Sequence, residues 1–219
     1  MAVLLYGAPG TGKTETVYQI AKKTGRKILH VDISSTKSCW FGESEKIMKK
    51  IFVDYKNLCK LCRDEKDGKI PILLFNEADG ILSKRKDSTM GSVSQVENTI
   101  QNIILEEMEK LEGIMIATTN LADNLDAAFE RRFLFKIKFE NPTVKAKAKI
   151  WKSKLNWLPE NEIEMFARNY DLSGGQIDNI VRKVTMDEIL TGKRPEYEEL
   201  LKLCKKEKLG ETERKIGFF

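Results

Sequence analysis

The sequence predicts an α/β fold in which a five-stranded parallel sheet lies between helices and is followed by a small all-α domain. Short, continuously apolar segments alternate with helical ones up to residue 141, which is typical of parallel strands covered on both faces. Only helical patterns follow, and the chain ends in a charged segment. We therefore expect an α/β domain at 1–141, a helical domain at 142–204 and a C-terminal tail at 205–219.

The elements are predicted from apolar runs and from helical periodicity. The five strands are AVLLYG, KILHVDI, IPILLF, GIMIATT and RFLFKIKF. The first helix, TETVYQIAKKTG, ends at the glycine that follows its last periodic residue. A second helix runs from Glu43 to about Cys62 with one apolar face, and a third covers VSQVENTIQNIILEEMEKL. The later helical segments are separated by LPEN, DLSGG and TGKRP.

Composition excludes several classes of protein. A net charge of +5 is mildly basic and lacks the concentrated charge of a dedicated nucleic-acid binder, so nucleic acid is not the expected partner. No apolar run could span a bilayer and no leader precedes the first strand, so we expect a cytoplasmic protein without membrane insertion. The CKLC segment has metal-ligand spacing, but no second pair follows and His30 is the only histidine. Its cysteines are therefore expected to be ordinary helix residues.

A phosphate-binding loop is predicted between the first strand and the first helix. The segment GAPGTGKT fits the P-loop pattern G-x-x-x-x-G-K-[ST], whose glycines let backbone N–H groups converge on phosphate oxygens at a helix N-terminus. Lys13 would neutralise the β- and γ-phosphates of ATP, and the Thr14 hydroxyl would bind Mg²⁺. The predicted nucleotide-binding residues are Gly7, Ala8, Pro9, Gly10, Thr11, Gly12, Lys13 and Thr14.

The order of further motifs distinguishes between families of P-loop NTPase. LSGGQ at 172–176 spells the signature of ABC transporter ATPases, but here it follows the acidic strand instead of preceding it. The succession of LLFNEAD, IATTN, NLDAAFERRF and a helical domain resembles the AAA ATPases of the AAA+ superfamily. STKSCWFGESEK is similar to the pore-loop segment of the katanin, spastin and ESCRT-disassembly branch. This resemblance spans residues 3 to about 183 and makes the helical domain a lid.

The resemblance implies catalytic roles for four residues. Glu77 would polarise the attacking water, and Asn120 resembles sensor 1, which orients that water against the γ-phosphate. Arg131 and Arg132 resemble the paired arginine fingers that reach the nucleotide of the neighbouring subunit and neutralise charge in the transition state. The implied assembly is a homo-oligomeric ring, expected to be a hexamer, that acts on a protein client.

The same resemblance assigns a pore loop and a lid turn. Trp40, Phe41 and Gly42 occupy the pore-loop position, where aromatic side chains would grip an extended polypeptide. Without the flanking match, two large apolar residues in a short polar loop would be expected in a core or an interface. Gly174 and Gly175 fall at the turn and helix start of the lid that touches the nucleotide base, and Gly175 leaves no sensor 2 arginine there.

Two features depart from the family pattern. The helix and loop that ordinarily precede the first strand have no counterpart, so we expect a fragment of a longer protein or an unusually short member. Asn76 stands where the pattern has a metal-side aspartate. Its carbonyl can still accept from a Mg²⁺-bound water, but one negative charge is lost, so we expect weaker metal binding and retained catalysis. Asp79 is either a turn carboxylate or part of the second shell of the metal.

The predicted function is ATP hydrolysis that is coupled, in a ring, to remodelling or unfolding of a protein. A nucleotide-dependent binding or scaffold module with little hydrolysis is an alternative, and Asn76 favours it. A DNA-associated AAA+ loader is a second alternative, against which the aromatic pore loop argues. The sequence names neither the client nor the stoichiometry of the assembly.

Overall fold

A computed structural model describes residues 1–33, 44–64, 68–84, 92–121 and 124–207. The predicted pore loop, at Trp40, Phe41 and Gly42, lies outside the described residues. The chain divides into two units. The first comprises Met1–Ala8 and Gly12–Phe139, and the second comprises Pro9–Thr11 and Glu140–Phe219.

A five-stranded parallel sheet forms the first unit, which confirms the predicted fold class. The strands are β1 Ala2–Gly7, β2 Ile28–Asp32, β3 Ile72–Asn76, β4 Ile114–Thr119 and β5 Phe135–Phe139. Their spatial order is β2-β3-β4-β1-β5, and every neighbouring pair is parallel. Because parallel strands all end at the same edge of the sheet, the ends of β1, β3 and β4 lie together.

Helices connect and cover these strands. Those described in the first unit are α1 Lys13–Thr24, α2 Ser44–Asp64, α3 Asp79–Leu82, α4 Ser92–Glu109 and α5 Ala127–Arg132. Helix α1 ends at Gly25, whose φ of 66° is readily adopted by glycine at this C-terminal position. The prediction for this helix is therefore correct to within one residue at each end.

Two apolar clusters cover the two faces of the sheet, and strand alternation decides which residue joins which cluster. On the face packed by α1, residues of β2 and β3 meet α1 through Ile28, Ile72, Leu74, Val17 and Ala21. On the opposite face, residues of the same strands meet α2 and α4 through Val31, Leu73, Phe75, Phe52 and Ile104. Every second residue of β2 and β3 therefore faces α1, including the residues at which these strands end.

The second unit is helical in its described part. Its helices are α6 Val144–Lys154, α7 Glu160–Asn169, α8 Gly174–Thr191 and α9 Tyr197–Lys206. They bury a core of their own that includes Trp151, Phe166, Ile177, Ile180 and Leu200. The LSGGQ segment is explained locally, because the Ser173 hydroxyl accepts from the Gln176 N–H and the Gln176 side chain accepts from the Ser173 N–H. This capping box starts α8.

The cysteine pair of α2 and the hydropathy of the helices bear on metal binding and membrane insertion. Cys59 and Cys62 are both buried and unbridged. In the described part of the chain, no group of three or more His, Cys, Asp or Glu side chains could hold a metal ion. Nor is any of the described helices long and apolar enough to cross a membrane.

Candidate nucleotide site

Lys13 is the central cation of the candidate site. It is the first residue of α1 and is only 7% exposed. Its ammonium donates to the carbonyls of Gly7 and Ala8, each at 2.8 Å, and to Asn120 Oδ1 at 2.9 Å. Three oxygen acceptors thus hold the ammonium at the ends of β1 and β4. The ammonium can exchange these acceptors for phosphate oxygens, because a hydrogen bond to a charged oxygen is stronger than one to a carbonyl.

Two glycines of the predicted loop are required by its geometry. A Cβ on Gly7 would lie 2.1 Å from the Phe139 carbonyl oxygen of β5, and the φ of Gly7 is 141°. Gly12 has a φ of 91°, and nothing lies within 4 Å of the place where its Cβ would be. The open space stands directly before α1, where the backbone N–H groups of a first helical turn have no partner within the helix. This arrangement fits a phosphate group.

The oxygens of Thr14 and Asn76 form the candidate metal side of the site. The Thr14 hydroxyl donates to Asn76 Oδ1 at 2.6 Å, and the Thr118 hydroxyl of β4 donates to the same oxygen at 3.0 Å. Hydroxyl and amide oxygens are hard donors, and Mg²⁺ in nucleotide sites uses one or two protein oxygens together with phosphates and water. The donor set therefore fits Mg²⁺. Thr14 and Asn76, each predicted on the metal side of the site, are in direct contact although 62 residues separate them along the chain.

Glu77 follows β3 in a strained backbone conformation. Among the described residues it is the one non-glycine residue with a positive φ, which is 51°. Its N–H donates to the Thr118 hydroxyl at 3.0 Å, and its side chain is exposed. Non-glycine residues in this region cost on the order of 1–3 kcal/mol and cluster at functional sites. The side chain of Glu77 is accessible to water.

Asp79 fixes the end of β4, a role that the sequence prediction missed. Its Oδ1 accepts from the Thr119 hydroxyl and from the N–H groups of Asn120, at 2.7 Å, and Leu121, at 3.2 Å. Its Oδ2 accepts from Asn120 Nδ2 at 3.3 Å. Because Asn120 Oδ1 faces Lys13, Asp79 sets which way the Asn120 amide points. The sequence did contain a signal for this contact. Acidic residues follow the third predicted strand and Asn120 follows the fourth, and parallel strands of one sheet end at the same edge.

The surroundings of Lys13 shift the pKa of its ammonium group. Burial lowers the pKa of Lys13 below its ordinary value, and the carboxylates of Asp79 and Glu77 oppose that shift. Removing either carboxylate would therefore lower the pKa further. The site thus contains the buried Lys13 ammonium and two carboxylates near it. The amide of Asn120 contacts both the ammonium and the carboxylate of Asp79.

The structure distinguishes the two predicted arginine fingers. The Arg131 side chain is exposed and makes no hydrogen bond or ion pair with any other described residue. Arg132 is occupied within the chain, because it pairs with Glu109 at the end of α4 and donates to the Ala128 carbonyl at 2.9 Å. Of these two side chains, Arg131 is therefore the one that no described residue of this chain engages.

The lid glycines lie beside a residue of the predicted phosphate loop within the second unit. The Gly175 N–H donates to the Gly10 carbonyl at 2.9 Å. A Cβ on Gly175 would lie 3.0 Å from the Gly10 Cα, so a side chain here would displace one of the two segments. Gly174 is similarly close, since its Cβ would lie 3.3 Å from the Gly10 carbonyl oxygen.

Comparison with known proteins identifies the family. Residues 3–141 match the family model described as ATPase family associated with various cellular activities (AAA). The chain belongs to the AAA family. Fidgetin-like protein 1 of Drosophila melanogaster is 30% identical over 193 residues, which cover 84% of this AAA chain and 35% of that relative. The predicted resemblance to AAA ATPases is confirmed.

Other AAA relatives are similarly distant. The 26S proteasome regulatory subunit 6B homolog of Saccharomyces cerevisiae is 29% identical over 195 residues, covering 83% of this chain and 42% of that protein. The chain therefore spans less than half the length of these relatives. A crystal structure described as the FIGL-1 AAA domain in complex with ADP superposes with a TM-score of 0.70 at 20% identity, over 94% of this chain and 72% of that one. This last likeness shows a shared AAA fold.

Proposed function

We propose that this AAA domain binds ATP with Mg²⁺ and hydrolyses it in a homo-oligomeric ring. The convergence of Lys13, Thr14, Asn76 and Asn120 at one edge of the sheet is the observation that carries the proposal. Gly7 to Thr14 would hold the phosphates, and Thr14 with Asn76 would hold the metal side. Mg²⁺, when bound, would neutralise phosphate charge.

Each remaining residue has a proposed part in hydrolysis. Glu77 polarises the attacking water, and Asn120 orients that water while Lys13 neutralises the phosphates. Support for Asn120 comes from its contacts, because its amide is held between Lys13 and Asp79. Arg131 serves as the finger for a neighbouring subunit, whereas Arg132 is held by Glu109 and supports α5 from within the chain. For Gly174 and Gly175 we keep the place beside the nucleotide base that the family resemblance implies.

The proposed output is the remodelling or unfolding of a protein client by a hexamer. The support is family membership, together with relatives that include a proteasome regulatory subunit homolog. The aromatic pair Trp40 and Phe41, with Gly42, is proposed to line the pore. We place the protein in the cytoplasm, which suits the unbridged thiols of Cys59 and Cys62.

Phosphate release tests this proposal directly. The rate per subunit is measured at saturating ATP and Mg²⁺ over a range of protein concentrations, with wild type and Glu77→Gln compared. A ring with a finger supplied by the neighbour predicts a rate per subunit that rises with concentration and is lost in Glu77→Gln. A rate independent of concentration contradicts the ring, and no release at any concentration contradicts hydrolysis.

A scaffold module with little hydrolysis is the second candidate, and Asn76 is the observation that favours it. The amide brings no charge to the metal side of the site. This candidate predicts that ATP binding drives assembly while phosphate release stays at the level of Glu77→Gln. Sedimentation of the wild-type chain with ATP and with ADP, beside the phosphate assay, distinguishes the two candidates.

A further inference from the structure

The carboxylate that residue 76 lacks is present one strand away. Asp32 is the last residue of β2, and it pairs in register with Asn76, the last residue of β3. Neighbouring strands lie about 4.8 Å apart, and residues in register on parallel strands project from the same face of the sheet. The side chains of Asp32 and Asn76 are therefore neighbours.

Contacts on both strands establish which face this is. Asn76 faces α1, since its Oδ1 accepts from the Thr14 hydroxyl. His30, two residues before Asp32, also faces α1, where its Nδ1 lies 3.2 Å from the Tyr18 hydroxyl. Alternation along β2 then places Asp32 on the same side as His30. Ile33, the next residue, is buried in the cluster on the opposite face, as this alternation requires.

The register therefore places one negative charge beside the Thr14–Asn76 pair. Asp32 is half-buried at the edge of the sheet where the strands end. A carboxylate that does not touch a divalent cation still attracts it through the intervening water, and it orients the waters that the cation carries. Whatever hydrogen bonds Asp32 makes in the free protein, its charge remains close to this position.

We propose that Asp32 supplies the negative charge of the Mg²⁺ site in place of a carboxylate at residue 76. The acidic function of the site is then moved by one strand, from the end of β3 to the end of β2. Thr14 and Asn76 provide the neutral oxygens, and Asp32 attracts the cation as an outer-shell group. This inference rests on the proposed binding of ATP with Mg²⁺.

The test measures nucleotide binding, so that it does not depend on hydrolysis. The dissociation constant of a fluorescent ATP analogue is determined with excess Mg²⁺ and with EDTA, and their ratio gives the gain in affinity due to Mg²⁺. Asp32→Asn is expected to reduce this gain about tenfold, at the lower end of the range for outer-shell partners and equal to about 1.4 kcal/mol. Binding in EDTA should change little.

A charge-swap variant makes the test specific. Asp32→Asn combined with Asn76→Asp keeps one carboxylate in the site and should restore most of the gain in affinity due to Mg²⁺. Asp54→Asn, at an exposed position of α2, removes the same charge elsewhere and should leave that gain unchanged. Thermal unfolding of each variant shows that it is folded.

The outcomes separate the inference from the function on which it rests. If wild type binds the analogue with a gain due to Mg²⁺ and Asp32→Asn keeps that gain, Asp32 has no such role and the proposed function stands. If the swap variant does not recover what Asp32→Asn loses, the two positions do not share one task and the inference is overturned. If wild type does not bind the analogue at all, the proposed function fails and the inference fails with it.

Discussion

Replacing Asp79 by asparagine would reverse the hydrogen bonding of the Asn120 side chain. The oxygen of the new amide takes the place of Asp79 Oδ1, because three donors from residues 119–121 converge there. The new NH₂ group then faces Asn120 Nδ2, and two donors cannot bond with each other. The Asn120 amide must turn over to present its oxygen. In the wild type the Lys13 ammonium donates to Asn120 Oδ1 at 2.9 Å. In the variant it would instead face Asn120 Nδ2, which cannot accept a hydrogen bond.

The structure gives the size of this effect. Two hydrogen bonds with a charged partner are lost, one from Asn120 to Asp79 and one from Lys13 to Asn120. Such bonds contribute about 1.5–3 kcal/mol each, and the site is only half-buried, so we expect the free energy of unfolding to fall by about 2–3 kcal/mol. Loss of one oriented polar group in the transition state costs on the order of a hundredfold in kcat. KM for ATP should change much less than kcat.

Urea unfolding and steady-state phosphate release measure these two effects, and a double-mutant cycle assigns their cause. Because Asp79 acts through Asn120, the effect of Asp79→Asn on kcat should nearly vanish in an Asn120→Ala background. Asp126→Asn is a matched control, since Asp126 caps α5 and an amide caps a helix equally well. Effects of the two substitutions that simply add would refute the argument that Asp79 positions Asn120.

Three further predictions follow from the site. Asn76→Asp should lower the Mg²⁺ concentration needed for half-maximal hydrolysis about threefold, because the added charge faces the same donors; an unchanged requirement in a Mg²⁺ titration contradicts this. Arg131→Ala should reduce the rate of phosphate release per subunit at least a hundredfold at concentrations where rings form, without loss of thermal stability. Arg132→Ala should lower the unfolding temperature, because the contacts of Arg132 lie within the chain. Equal effects of both substitutions on thermal stability refute the distinction. Burial lowers the pKa of Lys13 below its ordinary value of 10.5, and phosphate binding needs the protonated ammonium. ATP affinity should therefore begin to fall with rising pH before pH 10.5 is reached. An affinity for ATP that stays constant up to pH 10.5 refutes this prediction.

Much of the fold could be predicted because it depends on local patterns. Continuously apolar strands and periodic helices specify a covered parallel sheet, and the first strand was predicted at its observed bounds. The fifth strand was predicted too early, at 132 instead of Phe135. Helix α5 includes Arg132, and a single sequence does not show where a short helix gives way to a strand.

The details of the site depend on contacts between distant residues, which a single sequence does not specify. The spacing of the P-loop motif predicted Lys13 and Thr14 as phosphate-side and metal-side residues, and the resemblance to AAA ATPases implied Asn120. The role of Asp79 depends on the end of β4, about 40 residues further along the chain. The difference between Arg131 and Arg132 depends on Glu109, 23 residues earlier than Arg132. Each of these contacts follows from the order of strands and helices in space.

The left-handed backbone at Glu77 gives folding stability and the proposed catalysis opposite requirements for the residue at this position. Glycine adopts this conformation without the clash that a Cβ causes, and asparagine adopts it more readily than glutamate does. A substitution of Glu77 by either residue would relieve strain and at the same time remove the carboxylate. Selection for folding alone would therefore favour replacement of Glu77, whereas the proposed role in polarising water requires that its carboxylate be kept.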